Sequence, residues 1–425
     1  MSPGSPASSG SPTLPGSPAR RLTAYAAVGS LARAANAGLP TAIILGVLAA
    51  GGSASEGSLI LAAVTAIAGI VGPLVGALMD RAVHPRRGYA LAILCLAACS
   101  AALAVGVGSW PLGVLMLIAG VAGLFHPMLT GAWSAQLRRV VPDVAPARAY
   151  AVDTGTYNIG DIVGPAIVGI AYVYDANTPG TASLEVVVIL YLLAALVLPL
   201  VPIPSRVASE MPDEPAPLLQ AVRSLTVFWH SVPLRRSTII STLAFVGIAG
   251  LVIGAPLMGA DLAGDPGVGA LLLAVVAGGA LLGSVVFARR PVRRQGPGTM
   301  VVITTLGLGV AFAALALVPS MPVAFVVGVI LGFLEAPQLT AVLQVRDREA
   351  PSHVRSLVFV AATSLKTGAF ALGSVLAAGL VEFGWRPLLL GSAVIEILAV
   401  LAGLFLAGHR RPPYRGALPS ATSEG

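Results

Sequence analysis

Five charged side chains stand in this chain where charge is expensive. Arg33, Asp161, Glu335, Lys366 and Glu396 each fall near the middle of a long apolar stretch. At the centre of a bilayer, a charge costs at least about 2.5 to 3.5 kcal/mol on insertion scales. Five such residues therefore need compensating partners or access to water. A carboxylate held there can take up and release a proton, and an ionised substrate can compete for it. Asp161 and Glu335 are the expected proton carriers. The expected pairings are Arg33 with Asp161 and Glu335 with Lys366. Glu396 is expected to be buried against span ten or eleven, and Asp153 to sit at the start of its helix beside Arg148. Asn36 lies one helical turn beyond Arg33 on the same face and is a candidate polar contact for substrate, with Pro40 bending the helix after it. His126 is a lone intramembrane histidine that could titrate near neutral pH.

Composition decides what these residues are embedded in. Of 425 residues, 56% are apolar and 10% charged, and mean hydropathy is +0.90. Soluble domains carry roughly 25% charged residues. A soluble enzyme and a disordered regulator are both excluded. The apolar runs are about 20 residues long and unbroken, which fits spanning helices and not the alternating strands of a barrel. No phosphate-binding loop, nucleophile elbow or metal-ligand cluster occurs, so no catalytic residue, metal or cofactor is expected. Cys95 and Cys99 sit one turn apart as small apolar residues. The net charge of +7 gathers on no base-reading element, so nucleic acid is not an expected partner.

Twelve spans are expected: Ala24 to Ala49, Leu59 to Met79, Tyr89 to Val107, Leu112 to Gln136, Ala149 to Tyr172 and Leu184 to Val201, then Thr238 to Leu257, Val268 to Ala288, Met300 to Val318, Val323 to Gln344, Leu357 to Val381 and Leu388 to Ala407. Residues 1–19 read as a disordered tail rich in Pro, Ser and Gly. The expected units are a six-helix bundle over 20–201, a linker over 202–237, a second bundle over 238–408 and a tail over 409–425. The linker carries an amphipathic stretch around Leu218 to Trp229. In this arrangement 22 arginines fall on one side of the membrane and Arg386 alone on the other, which puts both termini in the cytoplasm of a plasma-membrane protein. Trp110 and Trp385 are expected as outer interfacial anchors and Trp133 as an inner one.

The two halves repeat. Gly76-Ala-Leu-Met-Asp-Arg after span two has its counterpart in Gly283-Ser-Val-Val-Phe-Ala-Arg after span eight, and His126-Pro-Met-Leu-Thr in span four matches Ala336-Pro-Gln-Leu-Thr in span ten. Parallel repeats related by an axis along the membrane normal are a transporter architecture. The loop from Gly76 through Asp80 and Arg81 to the basic pair Arg86 and Arg87 resembles the signature loop of the major facilitator superfamily. Gly160-Asp-Ile-Val-Gly164-Pro165 resembles the Gly-Pro motif of its exporters, especially drug/proton antiporters. No arginine occurs from Trp110 to Leu137, where many of those antiporters carry one.

The resemblance implies an all-α membrane protein of twelve transmembrane helices in two pseudo-symmetric six-helix bundles. Spans one, two, four, five, seven, eight, ten and eleven would line the central cavity. The implied function is export of small, largely apolar compounds by alternating access in exchange for protons. An importer or uncoupled facilitator on the same scaffold is the alternative, and a non-transporting membrane sensor a third reading. The expected partners are a small-molecule substrate, protons and the lipid bilayer, with oligomeric state open. The expected substrate or proton-coupling residues are Arg33, Asn36, Asp161, Glu335 and Lys366. The expected gating residues are Asp80, Arg81, Gly164 and Pro165. Asp80 would face the positive N-terminus of span eleven, a contact of about 0.3 to 1 kcal/mol. Gly164 and Pro165 would allow close packing or a bend where the bundles slide.

Overall fold

The computed structural model describes residues 15–174, 181–205, 228, 231–289, 296–350 and 355–407. Most of the expected tails, and the amphipathic stretch of the linker apart from Phe228, lie outside the described residues. Helices account for nearly everything else, and no strand occurs among the described residues. In the first half, span one is Pro18–Ala49, span two Ala54–Arg81, span three Pro85–Gly106, span five Pro146–Tyr174 and span six Thr181–Val197. Span four is composite, Leu112–Phe125 followed by the 3-10 turn His126–Leu129 and then Gly131–Val140. The second half comprises span seven Val232–Ala263, span eight Pro266–Arg289, span nine Pro297–Ala316, span ten Met321–Glu349, span eleven Arg355–Leu380 and span twelve Trp385–Ala407.

Local chemistry sets several of these boundaries. Ser53 and Glu56 form a reciprocal capping box at the start of span two, satisfying two backbone donors the helix cannot. Span seven stops at Gly264, whose φ of 73° is a left-handed conformation that glycine adopts at little cost. Proline breaks span four but not its repeat partner: Pro127 falls in the 3-10 turn, whereas Pro337 lies inside a continuous span ten. Among the described residues, 11 helices are long and apolar enough to cross a membrane. Span five falls outside that group, its most apolar stretch being diluted by Asn158 and Asp161.

Packing repeats as the sequence does. In the first half span one packs on five and six, two on four, and three on four and six. In the second half span seven packs on eleven and twelve, eight on ten, and nine on ten and twelve. The halves meet mainly along two seams, span two against eleven and span five against eight. Small residues permit the approach. A Cβ on Gly69 would lie 2.7 Å from the backbone nitrogen of Gly368, and one on Gly169 would lie 2.9 Å from the Gly267 carbonyl. An apolar cluster that includes Ile44 and Leu61 from the first half and Ile253, Val381 and Leu388 from the second joins them at the face opposite the start of span one.

Three expectations need correction. Trp133 is no interfacial anchor: it is 1% exposed, stacked on Tyr25 at 5.1 Å and met edge-on by Tyr89. Its indole fills the space where spans one, three and four converge. Trp385 is likewise buried, and its indole nitrogen donates to Asp261 at 2.9 Å. Gly164 does allow close packing, but against span one and not between the two bundles. It packs within the first half, where a Cβ would stand 2.3 Å from the Ala34 carbonyl and 2.8 Å from the Gly38 nitrogen.

Backbone cannot retreat as a flexible side chain can. Gly164→Ala should therefore destabilise the first half by about 1 to 3 kcal/mol. Thermal melting of the detergent-purified protein checks this. Gly278→Ala, whose methyl would meet nothing within 4 Å, should melt as the parent does.

Candidate functional site

Span one delivers two polar side chains, Arg33 and Asn36, into the break of span four. Arg33 donates to the Ser134 hydroxyl at 2.8 Å and reaches the Thr130 carbonyl at 3.5 Å, while the Asn36 amide donates to the His126 carbonyl at 3.4 Å. The Thr130 carbonyl also accepts from the Ser134 backbone nitrogen at 3.2 Å, so the side chains of span one add bonds across to the irregular stretch of span four. Asn36 is further engaged by Tyr191 of span six, whose hydroxyl donates to its oxygen at 2.5 Å. At 5% exposure it is committed to holding spans one, four and six together, and the expectation of an open substrate contact is corrected accordingly.

The Arg33 pairing also differs from expectation. Its partner is Asp153, at 2.9 Å, with side chains 2% and 8% exposed. The Asp153 carboxylate also accepts from the Tyr25 hydroxyl at 2.6 Å and from Ser134 at 2.7 Å. Arg33 bonds the Thr156 hydroxyl as well, and its guanidinium lies 3.5 Å from the centre of the Tyr157 ring. The expectation for Asp153, a place at the helix start beside Arg148, is corrected too. Span five begins at Pro146, so Asp153 sits about two turns inside, within reach of span one. The polar run Asp153, Thr156, Tyr157 and Asn158 is the sequence signal for this placement.

Withdrawal of Arg33 leaves Asp161 without an ion pair among the described residues. It is exposed to a cavity of about 310 Å³ between the halves. Glu335 of span ten lines the same cavity from the other half, with Thr41, Asn158 and Pro165 as further members of the wall. The remainder is apolar, including Leu251, Val276, Leu331 and Phe370. Asp161 and Glu335 are close enough to interact electrostatically, and Lys366 is within range of Glu335. The expected Glu335–Lys366 salt bridge is absent among the described residues. Lys366 instead points toward span seven, with its ammonium 4.6 Å from the centre of the Phe245 ring. Sequence reasoning passed over Thr41 altogether, and gave Asn158 no part in the site.

The remaining candidates fall elsewhere. Glu396 is fully buried, but against Gly247 of span seven and Gly309 of span nine instead of spans ten or eleven. Gly247 leaves room for its carboxyl and Gly309 for its Cβ. The side chain of Asp80 and the residues just before span eleven lie outside the described residues, while Arg81 has a partner of its own. No group of three His, Cys, Asp or Glu side chains able to hold a metal occurs among the described residues.

Comparison with known proteins agrees with this architecture. The family model of the Major Facilitator Superfamily matches residues 25–371. The chain belongs to this superfamily. It is therefore a multi-pass membrane transporter and not an enzyme. The multidrug efflux pump Tap of Mycolicibacterium fortuitum is 28% identical over 375 residues, covering 83% of this chain and 88% of that protein. Among solved structures, a point mutant of the nucleoside transporter NupG is similar at a TM-score of 0.74 and 14% identity, over 91% of this chain and 99% of that one. A bacterial homologue of the human lysosomal transporter Spinster, in an inward-facing and unoccupied conformation, gives 0.68 at 16% identity, over 92% and 98%. At these identities the two structures speak for the fold alone.

The Arg33–Asp153 pair makes a clear prediction. Asp153→Asn strands a buried guanidinium and should cost about 3 to 5 kcal/mol, whereas replacing both partners by apolar residues should recover most of that loss. Asp161→Asn should leave stability nearly unchanged. Yield of folded protein and melting temperature in detergent distinguish the three variants.

Proposed function

We propose that this chain is a plasma-membrane exporter of small, largely apolar compounds carrying a positive or protonatable group, driven by exchange for protons. One observation carries the reading: Asp161 and Glu335 face one cavity from opposite halves, without ion-pair partners among the described residues, in a wall that is apolar apart from Thr41 and Asn158. The two basic residues best placed to neutralise them are engaged with Asp153 and Phe245. A cation entering the cavity exchanges hydration for two fixed carboxylates and apolar contact. A proton on the same carboxylate removes that attraction. Substrate and proton therefore compete, and alternating access converts the competition into antiport. A cavity of about 310 Å³ lies at the lower end of the range that takes drug-sized ligands, about 300 to 1,000 Å³.

The similarity to an efflux pump supports the outward direction. The 22 arginines assigned to one face support cytoplasmic termini. In this reading the halves, 20–201 and 238–408, rock about the seams of spans two and eleven and spans five and eight, with 202–237 joining them. Asp80 and Arg81 help close the cytoplasmic side. Gly164 holds span five rigidly to span one, and Pro165 shapes the cavity wall.

Everted vesicles acidified inside provide the test. Ethidium or tetraphenylphosphonium, added outside, should dissipate the pH gradient in vesicles carrying the parent protein. Asp161→Asn and Glu335→Gln should each reduce that dissipation to background while the protein remains folded in the membrane. Undiminished dissipation in both variants would sink the assignment of the carboxylates, and no response to either cation would sink the proposed cargo class.

A further inference from the structure

A second recess lies far from the central cavity, at the end of the first half where spans one and three begin and span six stops. Two clefts of about 280 and 380 Å³ adjoin there and share Arg86 and Pro199. Arg20 and Arg21 line one cleft and Arg87 the other, and no acidic residue lines either. Four guanidiniums thus converge on one recess. Interfacial arginines that merely orient a membrane protein need not converge, since their effect depends on which side they occupy.

The donors are held in place but only partly used. Arg86 is fixed by donating to the Pro199 carbonyl at 3.0 Å. Arg21 is 4% exposed and gives one nitrogen to Asp143 at 2.5 Å, while its Nε is buried without a partner. Arg20 and Arg87 are exposed, and their guanidiniums have no partner among the described residues. The first turns of spans one and three, starting at Pro18 and Pro85, add the partial positive charge of helix N-termini. One flank of the recess is apolar: Ala90, Ala195 and Leu198 form the wall, and the neighbouring Leu196 and Leu200 are 74% and 60% exposed.

We infer that this recess binds the headgroup phosphate of an anionic phospholipid, whose acyl chains run down the apolar flank between spans three and six. The chemistry selects that ligand class. A phosphodiester accepts hydrogen bonds from several guanidiniums at once, the recess lies at the ends of spans where headgroups reside, and the adjoining surface offers lipid tails a continuous path. A basic pocket between transmembrane helices at this depth is a known physical basis for lipid selection. The site is independent of the cargo and of proton coupling.

The full-length protein, purified in detergent, tests the inference with phosphatidylglycerol, phosphatidylcholine and inorganic phosphate in separate arms. Native mass spectrometry reads retained lipid, and thermal melting reads stabilisation. Phosphatidylglycerol should be retained and raise the melting temperature, whereas phosphatidylcholine and inorganic phosphate should do neither. Arg20→Gln combined with Arg87→Gln removes two donors that hold no other structure together. At about 1 kcal/mol per arginine, the pair should weaken phosphatidylglycerol binding by about 25-fold. Arg386→Gln, on the opposite face, should leave it unchanged. Equal retention of both lipids, or unaltered binding by the double variant, would overturn the site. A full stabilising effect from inorganic phosphate would overturn its assignment to lipid.

Discussion

The ion pair between Arg33 and Asp153 is the constraint around which the first half is organised. Neither charge could remain in the interior of a helix bundle alone, because a buried ion without a partner costs several kcal/mol even after relaxation. Together they are surrounded by Tyr25, Ser134, Thr156 and Tyr157, so both terminal guanidinium nitrogens and both carboxylate oxygens are engaged, while the buried Nε of Arg33 is not. These groups come from spans one, four and five. The pair thereby ties together three helices whose apolar surfaces alone would pack with little directional preference, since lipid is as apolar as leucine. Its second consequence is electrostatic: a guanidinium committed to Asp153 forms no direct ion pair with Asp161.

The break in span four belongs to the same arrangement. Pro127 interrupts the helical ladder, and the carbonyls of His126 and Thr130 are met by side chains from span one. The equivalent Pro337 is accommodated without a break, and the corresponding stretch of span ten keeps its helix and turns Glu335 into the cavity. Two halves with the same packing plan therefore differ chemically. One stores its buried charge in a closed network, and the other has Lys366 over an aromatic ring and Glu335 facing open space.

Small residues bring helices together both within the halves and between them. Within a half, bulky side chains such as Trp133, Tyr25 and Tyr89 interlock, and Gly160 and Gly164 bring span five against span one at backbone distance. Between halves, Gly69 approaches Gly368 and Gly169 approaches Gly267 at backbone distance, beside an apolar cluster that includes Ile44, Leu61, Ile253 and Leu388.

Much of this was legible from residue order alone. The length of the apolar runs and the repeat between halves follow from solvation: hydrocarbon admits backbone only as helix or closed barrel, and it strongly disfavours charge. The same rule identified Asp161 and Glu335 as anomalous without any coordinates. What order along the chain could not supply was partnership. Asp153 and Asp161 are both carboxylates on span five, and which of them meets Arg33 depends on where that helix starts, on its rotation against span one, and on Gly160 and Gly164 setting the distance between them. Likewise, the direction of Lys366 and the neighbours of Glu396 are decided by helices far apart in sequence. Composition and periodicity report the solvent each residue requires, whereas the pairing of buried charges depends on distances of a few ångströms that only the packed bundle defines.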